Sequence, residues 1–146
     1  MNVVVTALNE GGIIDETLTA VERALSASCS DSIDIILVDS FSTDDTVERA
    51  STHPITIIQT DKDTKNIAIN RNIGLSWAPE DEEFIFFLDG DIVIPIDWIK
   101  EFKAYLEDKE DVGGVSGPLL YLTMDQYRHE RGGPDKPPPF SSPQER

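Results

Sequence analysis

The sequence predicts an α/β protein with a mostly parallel sheet and helices on both faces. Two observations carry this. Short apolar, β-branched runs alternate along the chain with segments whose apolar residues fall at helical spacing, and strands separated by helices pair in parallel through crossover connections. In addition, the carboxylates of special interest each stand where one of these apolar runs ends. Ligands of open α/β sheets bind at the carboxyl ends of the strands.

The elements follow in order. Asn2 to Leu8 is a Val-rich opening strand. Ile14, Leu18, Val21 and Leu25 recur at one face of a helix, and Asp15 and Glu16 lie in its first turn, where the helix dipole favours them. Ile33 to Val38 is a second buried strand. Ser42 with Asp45 three residues on has the pattern of a capping box for a short helix ending at Ala50. Thr56 to Gln59 is a third strand. Ile69, Ile73 and Trp77 define the apolar face of a helix from Ile67 to Ala78, stopped by Pro79. Phe84 to Leu88 is a fourth strand. Asp97 is placed to cap a helix from Trp98 to Leu106, and Val112 to Leu122 reads as a fifth strand. From Arg131 the text turns to Gly-Gly-Pro-Asp-Lys-Pro-Pro-Pro-Phe-Ser-Ser-Pro, a composition that cannot build a core. The expected organisation is a folded domain over 1–122 and a Pro-rich, disordered tail over 123–146.

Composition restricts the partners. The chain has 146 residues, with 28 acidic against 12 basic ones and a net charge of -16. Such an acidic protein is a poor ligand for nucleic acid, whose phosphates need basic patches, or for anionic membranes. Cys29 stands alone, so no disulfide framework or Cys-based zinc site is expected. His53 and His129 have no partners at metal-ligand spacing. No apolar run approaches the length of a membrane span, and nothing resembles a signal peptide, so the expected location is cytoplasmic.

The chemistry gathers at three strand ends. Asn9-Glu10 ends the first strand, Asp39 the second, and Asp89-Gly90-Asp91 the fourth. Right-handed crossovers put all of them on one edge of the sheet. Two Asp separated by one Gly can share a hard divalent cation with substrate phosphates. Arg71, near the start of the preceding helix, is placed to oppose the carboxylates. An acidic cleft with one Arg suits a nucleoside diphosphate held through a metal.

These residues also resemble a known family. Val4-Val5-Thr6-Ala7-Leu8-Asn9-Glu10 is similar to the opening strand of family 2 glycosyltransferases, usually I-P-T-Y-N-E. Leu37-Val38-Asp39-Ser40-Phe41-Ser42-Thr43-Asp44-Asp45-Thr46 resembles the family's V-D-D-G-S-T-D-x-T. Asn70-Arg71-Asn72-Ile73-Gly74 resembles A-R-N-x-G, and Phe87-Leu88-Asp89-Gly90-Asp91 resembles F-L-D-x-D. The four motifs occur in the family's order and span Val3 to Gly117.

The resemblance implies a GT-A fold, the Rossmann-like fold of nucleotide-diphospho-sugar transferases. It implies transfer of a sugar from a nucleotide donor to an acceptor hydroxyl, with inversion and with Mn2+ or Mg2+ as cofactor. Asp91 is then the metal ligand, and Asp89 binds the ribose and assists the metal. Ala7, Asn9, Glu10, Asp39, Arg71, Asp89 and Gly90 are the nucleotide-binding positions. An ionised Asp39 is acceptor-only, which suits the imide N–H of uracil, so a UDP-sugar is the expected donor. The acceptor, whether glycan, lipid or protein, is left open, as is the general base. Asp125 is the nearest downstream carboxylate outside a helix.

Departures from the family pattern bear on the site. Ala7 and Leu8 replace the usual Thr and Tyr, Ser40 and Phe41 replace Asp and Gly, and little sequence follows Leu122 to build an acceptor half. An alternative reading is therefore a catalytically incomplete module that binds nucleoside diphosphates. A nucleotidyltransferase would need a Gly-rich, basic phosphate loop after the first strand, and Gly11-Gly12 is short with no Lys nearby.

Overall fold

The structure is a computed structural model that describes residues 1–28, 34–64, 66–109 and 111–117. Its described residues form four strands, β1 (Asn2–Ala7), β2 (Asp34–Asp39), β3 (Thr56–Gln59) and β4 (Ile85–Asp89). Four helices accompany them: α1 (Ile14–Ala27), α2 (Thr46–Ala50), α3 (Ile67–Trp77) and α4 (Trp98–Asp108). The strands form one sheet in the order β3-β2-β1-β4. All pairings are parallel, with Ala7 opposite Asp39 on one side of β1 and Thr6 opposite Asp89 on the other. The α/β class with a parallel sheet is thus observed as expected.

Strand β1 is central and buried along its whole length, which is why its sequence is a nearly continuous apolar run rather than an alternating one. Its residues still divide between two cores. Val3, Val5 and Ala7 join the larger cluster with Ile14, Leu18, Val21 and Leu25 of α1 and with Ile99 and Phe102 of α4. Val4 joins a smaller cluster on the opposite face with Ile36, Val38 and the partly buried Ile73 of α3. Helices therefore cover both faces.

Several local expectations are corrected. The capping box at Ser42 and Asp45 does not form. Ser42 instead bonds to Asp39 and accepts from the Asn9 amide, while Asp45 pairs with Arg49 at 2.7 Å. The Ser42 bonds to Asp39 and Asn9, and the Asp45 pairing within α2, compete with the local cap. Asp97 stands at the N-cap of α4 but makes no side-chain cap bond. Asn66 does cap α3, accepting from the amides of Ala68 at 2.9 Å and Ile69 at 3.3 Å. On α3 itself the expected apolar face is only partly used: Ile73 packs against the sheet, while Ile69 is 46% and Trp77 62% exposed. The buried positions are Asn70 and Gly74. A Cβ on Gly74 would lie 2.3 Å from a methyl of Val4, so the glycine brings the helix backbone onto β1 and sets which stripe faces the sheet.

The described part of the expected fifth strand, 112–117, does not lengthen the sheet, and 118–122 lies outside the described residues. So do Cys29, Lys65, His129, Asp125 and the 123–146 tail. His53, just after α2, faces α1, with Nδ1 2.7 Å from Glu22 and Nε2 3.4 Å from Asp15. Among the described residues, no helix is long and apolar enough to cross a membrane.

Candidate active site

In this strand order β1 connects to β2 on one side and adjoins β4 on the other. That reversal is a topological switch point, where loops diverge and leave a crevice. A cavity of about 320 Å³ opens there, lined by Thr6, Ala7, Leu8, Glu10, Ser40, Asn66, Ile67, Asp89, Gly90 and Asp91. Five of the expected site positions therefore line one space: Ala7, Glu10, Asp89, Gly90 and Asp91.

Gly90 explains how the strand ends come so close. Its amide donates to the Thr6 carbonyl at 2.8 Å, and its own carbonyl accepts from the Thr17 hydroxyl at 2.9 Å. A Cβ there would meet the Ala7 Cβ at 2.9 Å and the Thr6 carbonyl oxygen at 3.2 Å. The glycine between the two Asp is thus a packing requirement, which lets the β4 end lie flush against β1.

Arg71 faces the carboxylates as expected. Its Nη2 donates to Asp89 Oδ1 at 2.8 Å, and the Thr6 hydroxyl donates to the same oxygen at 3.2 Å. Among the described residues, no hydrogen bond is made to Asp89 Oδ2. Asp91 is exposed. Burial pushes the Glu10 carboxyl up from its usual range, and the charges of Asp91, Asp44 and Asp89 push it further. The site carries more negative charge than Arg71 offsets, which is the electrostatic condition for a cation.

Among the described residues, no three His, Cys, Asp or Glu side chains converge to enclose a metal ion. Mg2+-type sites in nucleotide enzymes use only one or two carboxylates and complete their shell with phosphates and water. Asp91 and the free oxygen of Asp89 fit that donor set.

The other two expected positions act differently. Asn9 does not line the cavity. At φ 57 it spans two loops, its Oδ1 accepting from the Thr43 amide at 2.8 Å. Asp39 is fully buried, and its carboxylate accepts from the Ser42 amide at 3.0 Å and from the Ser42 hydroxyl. Each oxygen keeps further acceptor capacity, but in this state Asp39 closes the β2–α2 loop. Two further residues hold the site from behind. Asp44 accepts from the Gly11 amide at 3.0 Å and Thr46 Oγ1 from the Glu10 amide at 2.8 Å. The hydrogen bonds from Thr46 and Gly11 hold the Asp44 carboxyl below its usual range. Asn66 and Ile67 are lining residues that sequence reasoning did not single out, and Ser40 lines the cavity as the departure noted at the β2 end.

This arrangement of parallel sheet, switch-point cavity and strand-end carboxylates is that of a nucleotide-sugar transferase fold. The family model "Glycosyl transferase family 2" matches residues 2–137, and the chain belongs to that family. Similar solved structures agree on the fold. Residues 1–349 of S. aureus TarS, in complex with UDP-GlcNAc, superpose with a TM-score of 0.61 at 23% identity, covering 84% of this chain and 37% of that one. The mannosyltransferase PcManGT from Pyrobaculum calidifontis, in complex with GDP-Man and Mn2+, gives 0.51 at 24% identity, covering 68% and 31%. A nucleotidyl transferase from Methanothermobacter thermautotroptrophicus gives 0.53 at 14% identity, covering 71% and 56%. The chain thus spans little more than a third of the length of the TarS fragment. No curated protein matches the sequence.

Proposed function

We propose that this chain is the donor-binding portion of an inverting glycosyltransferase that uses a nucleoside-diphosphate sugar, with UDP as the preferred nucleotide. The observation that carries the reading is the cavity at the switch point, where Asp89 and Asp91 of the β4 end meet Glu10 of the β1 end and Arg71 pairs with Asp89.

Asp91 and Asp89 would hold Mn2+ or Mg2+ together with the donor's diphosphate. The bound cation would neutralise charge that accumulates on the leaving group. Arg71 orients Asp89, and its guanidinium adds a fixed positive charge beside the same position. Thr6 donates to the same Asp89 oxygen and helps fix the carboxylate. Asp39 supplies acceptor capacity at the β2 end for the base. Inversion requires in-line attack by the acceptor hydroxyl, with a carboxylate taking its proton on the face opposite the leaving group. No described residue is assigned that role.

A second reading is a module that binds nucleoside diphosphates without turnover, since no described residue is assigned the proton-accepting role. Two measurements separate the readings. Calorimetric titration of UDP with and without Mn2+ should show markedly tighter binding with the cation, and Asp91→Asn should remove most of that increment. Equal affinity in the two conditions would remove the metal from the reading. Release of UDP from a UDP-sugar in the presence of acceptor mixtures would then establish transfer, whereas binding without release favours the module.

A further inference from the structure

The two carboxylates of the β4 end are held in different ways. Asp89 is fixed through its side chain, which accepts from Arg71 and Thr6. Asp91 is exposed, and among the described residues no hydrogen bond or ion pair restrains its carboxylate. Its direction is therefore set by its backbone. That backbone is a β-turn, closed by the Ile92 amide on the Asp89 carbonyl at 3.0 Å, with Gly90 and Asp91 as its central residues. The peptide between two such residues is the one that turns over when a type I turn becomes type II, and the change takes the second of them to positive φ. Here that residue is Asp91, so the flip would re-aim its carboxylate. Glycine at the first central position has no Cβ to oppose it. Positive φ is nevertheless confined to Asn9 and Phe41 among the described non-glycine residues, so Asp91 stands in the unflipped form.

The carbonyl of that central peptide is held from outside the site. The Thr17 hydroxyl donates to the Gly90 carbonyl at 2.9 Å in a buried bond. Thr17 belongs to α1, is fully buried and lies 73 residues from Gly90 in the chain. A threonine inside a helix often turns its hydroxyl back to a carbonyl of its own helix, whereas this one reaches across to the β4 end. Turning the peptide over breaks the bond. The peptide before Gly90 is held separately, by its amide on the Thr6 carbonyl at 2.8 Å. Thr17 thus restrains the peptide that aims Asp91.

We infer that Thr17 is a positioning residue that, through the Gly90 carbonyl, aims Asp91 at the cation shared with the donor's diphosphate. The inference rests on the donor-binding reading above. It is tested by calorimetric titration of UDP, with and without Mn2+, into the unaltered chain, Thr17→Val and Thr17→Ser, with thermal melts of each. Valine replaces the hydroxyl by a methyl of similar shape, and serine keeps the hydroxyl and loses the methyl. Both disturb a fully buried position, so both should lower the melting temperature. Without Mn2+ the three proteins should bind UDP alike. The gain in UDP affinity from Mn2+ should fall about tenfold in Thr17→Val, the lower end for loss of a group that orients a metal ligand, and should be kept in Thr17→Ser. Should Thr17→Val not fold, Thr17→Ala also lacks the hydroxyl and carries the same expectation. A full Mn2+ gain in the folded variant without the hydroxyl overturns the inference. So does an equal loss in Thr17→Ser, which would make packing rather than the hydroxyl the cause. Equal UDP affinity of the unaltered chain with and without Mn2+ removes the metal from the donor-binding reading and this inference with it, a failure seen before any variant is compared.

Discussion

Single residues at the strand ends carry backbone and charge costs that a plain structural domain has no reason to keep. Phe41 has φ 63 and is 45% exposed. A left-handed backbone costs an ordinary residue about 1–2 kcal/mol, and glycine almost nothing, although glycine returns roughly 0.5–1 kcal/mol through its freer unfolded chain. Phe41→Ala keeps the backbone cost and Phe41→Gly removes it, while both lose the ring. The Gly variant should therefore be equal to or up to about 1.5 kcal/mol more stable than the Ala variant in urea melts. A clearly less stable Gly variant would mean that the left-handed turn is not populated in solution.

Glu10 gives the charge analogue. Its raised pKa means that the folded state holds the proton more tightly than the unfolded chain does. Its contribution to stability is present at pH below the unfolded value, and is lost as pH rises through the folded value. Asp44, whose pKa is lowered, has the opposite slope: its contribution is present above the unfolded value and is lost as pH falls through the folded one. Glu10→Gln should thus stabilise the protein near neutral pH and have little effect well into the acid range. A stabilisation of the same size at both extremes would show that the Glu10 charge is not the cause.

At the scale of elements, α3 shows where close approach overrides both propensity and pattern. Alanine is a better helix former than glycine by roughly 1 kcal/mol, so Gly74→Ala would help an isolated helix. Here the new methyl would lie 2.3 Å from Val4 Cγ1 and 3.2 Å from Val38 Cγ2, both on fully buried side chains. Overpacking of this kind costs about 1–3 kcal/mol, so Gly74→Ala should lower the melting temperature. Asn72→Ala on the exposed face of the same helix should leave it level or raise it. The helix was legible from Ile69, Ile73 and Trp77, but its orientation was not. Periodicity records where apolar residues fall, and the deciding contact here is made by a residue with no side chain. Elsewhere the pattern sufficed. Ile14, Leu18, Val21 and Leu25 all proved buried, and strand β3 has the limits expected from its β-branched run. The site was legible to the extent that it depends on strand ends, as at Glu10, Asp89 and Asp91. Asn66 and Ile67 reach the cavity through the way the loop before α3 and α3 itself pack, which no local spacing encodes.

For the molecule as a whole, the dominant physical fact is its charge of -16. Some basic groups are already committed: Arg49 to Asp15 and Asp45, Arg71 to Asp89, and Lys103 to Glu107. With 12 basic residues against 28 acidic ones, pairing cannot neutralise the surface, and self-repulsion should weaken the folded state. Screening acts over roughly 10 Å at 0.1 M salt and over about 3 Å at 1 M. The melting temperature should therefore rise from low to molar potassium chloride. A divalent cation that binds only the folded site adds a separate term, about 1.4 kcal/mol at roughly ten times its dissociation constant. The two terms differ in where they act. Asp91→Asn should abolish the increment from millimolar Mn2+ measured in high potassium chloride, and retain the monovalent slope, because the substitution removes one charge of many from the surface but one of the two expected ligands from the site. A flat response to potassium chloride would mean that the acidic groups are spaced widely enough to ignore one another. A full Mn2+ increment in the Asp91→Asn protein would place the cation away from the β4 end, and the donor-binding reading would then lose its metal while keeping its cavity.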